Sequence, residues 1–183
     1  SGLVRINHAL VVATSLPAKD LRELIELARA KPGALNYGSF GVASSAHLNM
    51  EMLQSMAGVK FVHVPYKGAT PALADVAAGH LTMMFVSVGS ALPQVKAGKV
   101  KIFAVGSPQR LSRLPEVPTV AENGLPGYEA TSWFGLFATG GTPREIVAKL
   151  NAETQRFFND AAFKEKILAP QLFEPITGSP EKF

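Results

Sequence analysis

Two short runs of this sequence have the residue types needed to receive an anion. The first is Gly38-Ser39-Phe40-Gly41-Val42-Ala43-Ser44-Ser45, a loop of mainly small residues ahead of a helix expected over roughly 46–56. Glycine lets a backbone turn sharply and approach a ligand closely. The free N–H groups at the start of the next helix carry about half a positive charge of dipole. Hydroxyls at Ser39, Ser44 and Ser45 add donors, so the run fits a carboxylate or similar anion. It is not a phosphate P-loop, because the Gly-Lys-Ser/Thr ending is absent. A Ser-capped helix after an ordinary turn explains the same residues. The second run is Tyr66-Lys67-Gly68-Ala69-Thr70-Pro71-Ala72. Lys67 supplies charge, Gly68 close approach, and Thr70-Pro71 a capped helix start with Pro in the first helical position. Capping beside a solvated Lys67 is the plainer account of this run.

Catalytic patterns are weaker. His47 follows Ser44 and Ser45 in the first helical turn, which raises an α/β enzyme using Ser44 or Ser45 with His47 as an alternative. A third orienting group is not evident, and no Gly-x-Ser-x-Gly elbow exists. His47 reads more simply as a packed or hydrogen-bonding residue. His8, His63 and His80 have no ligand spacing, and no Asp-rich loop is present, so neither a metal site nor a cofactor is expected. Glu51 and Asp75 have no evident carboxylate partner for glycosidase chemistry. With no Cys, disulfides and thiol nucleophiles are excluded.

The frame holding these runs is a chain of 183 residues, 47% hydrophobic and 17% charged, which is a folded composition. Residues 32–98 carry only Glu51, Lys60, Lys67, Asp75 and Lys96 as charged side chains, so that stretch is buried or lines an interface. The net charge of +4 is dispersed, without the dense basic stripe or stacking platform of a nucleic-acid binder. No apolar run is long enough to span a membrane, and no charged-then-apolar leader is visible.

Strand and helix patterns alternate along the chain. Strands are expected at 9–13, 35–37, 60–64, 81–86, 100–105, 131–138 and 172–176. A helix starts at an Asp20 cap, with Leu21, Leu24, Ile25 and Ala28 on one face. Ser90 caps a short helix that ends at Gly98. Residues 106–127 form a Pro-rich connection with one helical turn near 119–123. Thr142-Pro143-Arg144-Glu145 reads as a capping box opening a helix over 143–158, with Ile146, Leu150 and Phe157 inward. Asp160 caps a further helix, and Trp133 and Phe134 read as core or hinge packing. This order predicts an α/β fold with a largely parallel sheet, whose ligands sit at strand C-termini. Ser179-Pro180-Glu181-Lys182-Phe183 reads as a helix start that stops within a turn, which suggests a fragment of a longer protein.

An ordered set of segments carries a family resemblance. It comprises Leu35-Asn36-Tyr37-Gly38-Ser39, Ser44-Ser45-Ala46-His47-Leu48, Val64-Pro65-Tyr66-Lys67-Gly68 and Pro71-Ala72. It continues through Leu92-Pro93, Ala97-Gly98-Lys99, Leu114 to Glu122, Gly124 to Glu129, Trp133-Phe134-Gly135-Leu136 and Gly141-Thr142-Pro143. Together these resemble the substrate-binding proteins of tripartite tricarboxylate transporters, the Bordetella uptake gene family. The resemblance implies a type II periplasmic-binding-protein-like fold, in which two α/β lobes close on a small carboxylate and deliver it to membrane permease subunits. It also implies a periplasmic location and no enzymatic activity. Carried onto this sequence, ligand contacts fall at Ser39, Gly41, Ser44, Ser45, His47, Lys67, Gly68, Ala69, Thr70 and Ala72. Residues 14–127 would be one complete α/β lobe, and 1–13 with 128–183 a partial second lobe with hinge strands. The bared face of that partial lobe would favour a dimer, and the cleft would be impaired. Many family members have Asp where this chain has Val86, so a ligand amino group lacks a natural partner there. An effector-sensing lobe of a transcriptional regulator shares the architecture but would need a helix-turn-helix, which this sequence lacks.

Overall fold

The structure, a computed structural model, describes residues 1–182. The chain divides into two compact units: Asn7–Ala130, and Ser1–Ile6 together with the chain from Thr131 onward.

The larger unit is a mixed five-stranded sheet with helices on both faces. Its strands are β1 (Gly2–Ala13, from Asn7 on), β2 (Asn36–Ser39), β3 (Val62–Pro65), β4 (Met83–Ser87) and β5 (Val100–Val105), in the order β3-β2-β4-β1-β5. β2 runs parallel to β3 and β4, whereas β1 is antiparallel to both β4 and β5. The expectation of a largely parallel sheet therefore holds for β3-β2-β4 and fails at β1. β1 is also longer than the expected 9–13. Its first half alternates polar residues with apolar ones and lacks a continuous apolar run.

The helices form for legible reasons. α1 (Leu21–Ala30) starts where the Asp20 carboxylate accepts the Glu23 N–H at 2.9 Å, and Leu21, Leu24, Ile25 and Ala28 turn inward together. α2 (Ser45–Ala57) ends at Gly58, and α3 (Ala69–Ala78) at Gly79, both left-handed. α4 (Val88–Lys96) follows β4 directly. The main core joins Leu10, Val12, Leu21, Leu24, Tyr37, Met50, Leu53, Met83, Phe85, Phe103 and Tyr128. In the Pro-rich connection, Thr119 and Glu122 cap one 3₁₀ turn reciprocally. The Thr119 N–H donates to Glu122 Oε2 at 2.7 Å, and the Glu122 N–H donates to Thr119 Oγ1 at 3.1 Å.

Two cap assignments are corrected. α3 starts at Ala69 with Gly68 as its cap residue, so Thr70 lies inside the first turn and Pro71 at the third helical position. Pro is tolerated there because the first four N–H groups have no intrahelical acceptor. α4 is capped at Ser87 instead of Ser90, and the Ser87 hydroxyl donates to Ser90 Oγ at 2.7 Å.

In the smaller unit, β6 (Thr131–Gly135) and β7 (Glu174–Pro175) pair with β1. α5 (Arg144–Asn159) precedes α6 (Ala161–Phe163), a wider π-type turn (Lys164–Leu168) and α7 (Ala169–Gln171). Its small core is Val4, Ile6 and Leu168 with Phe158, Phe163 and Phe173. The capping box at Thr142 does not form, because the Thr142 hydroxyl donates to the Thr139 carbonyl and Pro143 becomes the cap residue. Ile146, Leu150 and Phe157 are exposed instead of inward, and the buried residue of α5 is Asn151. Its amide donates to Ser1 Oγ and the Gly178 carbonyl. Trp133 and Phe134 are likewise exposed, so they are not core.

Candidate functional site

Because β2, β3 and β4 are parallel, α2, α3 and α4 all begin along one edge of the larger unit's sheet. Ser39 pairs with Pro65, and the Tyr66 N–H donates to the Ser39 carbonyl at 2.9 Å. The two loops singled out in the sequence thus start side by side. Gly38 explains how α3 comes so near. A Cβ at residue 38 would lie 2.6 Å from Leu81 Cδ1 and 3.4 Å from the Ala72 methyl.

The first loop is bonded to itself. Ser39 is fully buried; its Oγ donates to the Gly41 carbonyl at 3.0 Å and accepts the Gly41 N–H at 3.2 Å. Ser44 Oγ donates to the same carbonyl at 2.7 Å and accepts the His47 N–H at a long 3.4 Å. Gly41 and Ala43 both have positive φ, 133° and 62°. The N–H groups of Ser45 and Ala46 have no acceptor within the helix.

The second loop is more open. Lys67 is exposed and makes no hydrogen bond or ion pair among the described residues. Gly68 has φ 130°, and no side chain caps α3. That leaves the N–H groups of Ala69 and Thr70 without a helical acceptor. Ala72 is buried against Gly38 and not open to solvent. The loop is anchored by Tyr66, whose hydroxyl donates to Asp75 Oδ2, with His80 Nδ1 3.4 Å from the other oxygen. That bond raises the Tyr66 pKa and lowers that of Asp75.

His47 does not face a serine. Its Nδ1 accepts the Ala43 N–H at 3.0 Å, and its Nε2 lies 3.6 Å from Glu51 Oε1. Neither ring nitrogen is bonded to Ser44 or Ser45, so the hydrolase-like constellation is not assembled. A serine–histidine contact does form between Ser39 Oγ and His63 Nε2, at 2.6 Å, but Ser39 is sealed from solvent. The His63 ring stacks on those of His47 and Tyr37, with centroids 4.1 and 4.9 Å away. Sequence reasoning weighed His63 only as a metal ligand; its pairing with Tyr37 is set by the β2–β3 register. It also missed Ser87, which sits at the start of α4 on the same sheet edge. Among the described residues, no group of three or more His, Cys, Asp or Glu side chains is gathered for a metal. A hollow in the smaller unit, lined by Leu136, Phe137, Val147, Leu150, Asn151 and Pro180, offers no Lys, Arg or His.

A sheet that delivers three helix N-termini to one edge, with hydroxyls and a free lysine, is built to receive an anion, as a solute-binding protein does. Residues 1–182 match the TctC family, described as the tripartite tricarboxylate transporter family receptor, and the chain belongs to it. The structure superposes on Rpa4515 of R. palustris with adipate at TM-score 0.90 and 36% identity, covering 99% of this chain and 60% of that one. It superposes on MatC of Rhodopseudomonas palustris with bound malate at TM-score 0.86 and 30% identity, covering 99% and 61%. The periplasmic binding protein BugD gives TM-score 0.87 at 30% identity, covering 96% and 58%. The fold is thus the α/β fold of these periplasmic binding proteins, and the family is one of solute receptors, not enzymes. The chain spans about half the length of the curated relatives it matches.

Proposed function

We propose that this protein is a periplasmic receptor for a small carboxylated solute, which it delivers to the permease of a tripartite tricarboxylate-type transporter. Ser39, Gly41, Ser44, Ser45, His47, Lys67, Gly68, Ala69, Thr70 and Ala72 form the proposed ligand site. The observation that carries this reading is the Tyr66–Ser39 backbone bond, which starts the two loops side by side on the sheet edge where α2 and α3 begin, with Lys67 in the second loop and without a partner among the described residues. Helix dipole, unsatisfied N–H groups and an ammonium all favour a carboxylate at that place. In this reading Ser39 and Ala72 shape the floor, while Ser44, Ser45, Lys67 and the N–H groups of Ala69 and Thr70 meet the ligand. Adipate and malate in the solved relatives make dicarboxylates the first solutes to try. Residues 14–127 are proposed as one complete lobe. Closure on a ligand requires contacts from a second lobe, so the 183-residue chain should bind more weakly than a full-length relative.

Calorimetric titration with mono-, di- and tricarboxylates tests the reading, on this chain and on a form extended to its relatives' length. At least one carboxylate should bind, and Lys67→Ala should weaken it roughly tenfold, the worth of one charge-assisted contact. Failure of both forms to bind any carboxylate would refute the receptor assignment.

A further inference from the structure

We propose that His47, stacked on His63, is an acid-sensitive clasp on the β2–α2 loop, a positioning residue whose protonation lowers carboxylate affinity. The affinity part rests on the receptor reading above; the clasp itself does not.

The clasp is built from both sides of the loop. His63 on β3 sits opposite Tyr37 in the parallel register; because Ser39 Oγ gives its hydrogen to the Gly41 carbonyl, His63 Nε2 donates to it at 2.6 Å, a bond that survives protonation. His47 holds the other end by accepting the Ala43 N–H on Nδ1. Ala43 has φ 62°, a conformation costly for a residue with a Cβ, so the loop needs that bond to keep its shape. An Nδ1 that accepts has no proton, so neutral His47 carries its hydrogen on Nε2, toward Glu51. Protonation fills the Nδ1 lone pair, and the Ala43 N–H then faces another donor.

The neighbours set the sign. Glu51 on α2 is the carboxylate facing the pair; its Oε1 lies 3.6 Å from His47 Nε2, close enough to offset a new charge on that ring. Tyr37 on β2 donates to Glu51 at 2.7 Å, and burial together with that bond pushes its pKa well up, so it stays neutral. Burial and then the nearby His47 lower the His63 pKa, so the stack resists a second proton. An imidazolium would by itself attract a carboxylate. Because Glu51 balances it, loss of loop shape decides the direction.

Two measurements on the full chain test this. The first needs no solute: hydrogen exchange of the Ala43 amide, followed by NMR from pH about 8 to about 5.5, the range in which imidazoles titrate. Protection, corrected for intrinsic exchange, should fall about tenfold. In His47→Phe protection should be low at every pH and lose its pH dependence, which a purely packing role would not produce. Protection that ignores pH in the wild type, or a pH-dependent fall that persists in His47→Phe, overturns the clasp. The second is titration with adipate and with malate at pH about 8 and about 6, above most of the solutes' own carboxyl range. Their dissociation constants should rise several-fold on acidification in the wild type. The rise should be smaller in His47→Phe, which keeps the ring stack but can neither accept the Ala43 N–H nor take a proton. Solute protonation is common to both proteins, so the difference between them is the readout. A constant or rising affinity with an intact Ala43 response overturns the link to binding. An intact Ala43 response with neither dicarboxylate bound at either pH supports the clasp and counts against the receptor reading instead.

Discussion

His8 is 4% exposed, opposite Ser87 in the β1–β4 register, and burial lowers its imidazole pKa to about 4. The unfolded chain would take up that proton near pH 6.5, so between about 6.5 and 4 it binds more protons than the folded protein. The stability that His8 contributes is present above that window and is lost as pH falls through it. Urea unfolding at pH about 7 and about 4 should therefore show a loss that shrinks by up to roughly 3 kcal/mol in His8→Asn. Equal losses in both proteins would mean that His8 is not the titrating group. Tyr128 is a second residue whose polar end matters. Its buried hydroxyl donates to the Asn49 carbonyl at 2.9 Å and ties the end of the Pro-rich connection to α2. Tyr128→Phe should cost about 1 kcal/mol, read as a lower denaturation midpoint at unchanged slope.

At the scale of elements, close approach decides what is tolerated. A Cβ at Gly106 would lie 2.8 Å from both the Cβ and the carbonyl oxygen of Ala130, whereas the obstacle at Gly38 is the end of the Leu81 side chain. Backbone cannot step aside as a leucine methyl can. Gly106→Ala should therefore destabilise by about 3 kcal/mol and Gly38→Ala by about 1 to 2 kcal/mol, compared by thermal unfolding. The reverse order would refute this view of the two contacts. The same distinction explains what was legible in the sequence. α1 could be read because its cap and its apolar face are both local, and Gly58 and Gly79 punctuate their helices as glycines do. The loops at Ser39 and Lys67 could be read because small residues and a helix start follow a strand in each. The caps at Thr70, Ser90 and Thr142 were misread because several residues competed for the same role, and backbone turns at Gly68, Ser87 and Pro143 decided it. His63 was illegible because its partners arrive from β2 and α2, more than fifteen residues away in sequence.

At the scale of the molecule, the contrast lies in how each unit covers its apolar side chains. The larger unit buries its leucines, methionines and aromatics, while α5 leaves Ile146, Leu150 and Phe157 open and β6 leaves Trp133 and Phe134 open. Exposed apolar groups in such number promote association. Replacing Ile146 and Leu150 together by Glu should leave the unfolding midpoint nearly unchanged, because both are already half in water. It should also lower concentration-dependent self-association in sedimentation velocity. A collapse in stability instead would mean that α5 relies on that face for its own packing.

The order in which the chain must fold follows from the division into units. The larger unit is one unbroken segment, and Gly106 bonds both the His8 carbonyl and the Ala130 N–H, so its two ends are stitched to a single residue. The smaller unit is discontinuous, with its first strand residues and its helices separated by that whole segment. Joining them as a free loop would carry a large closure entropy, but a folded insert already brings the two ends together. During synthesis the larger unit can therefore form as soon as Ala130 has emerged, and the waiting N-terminal residues gain their partners only afterwards. The insert acts as a template that converts a long-range pairing into a short one.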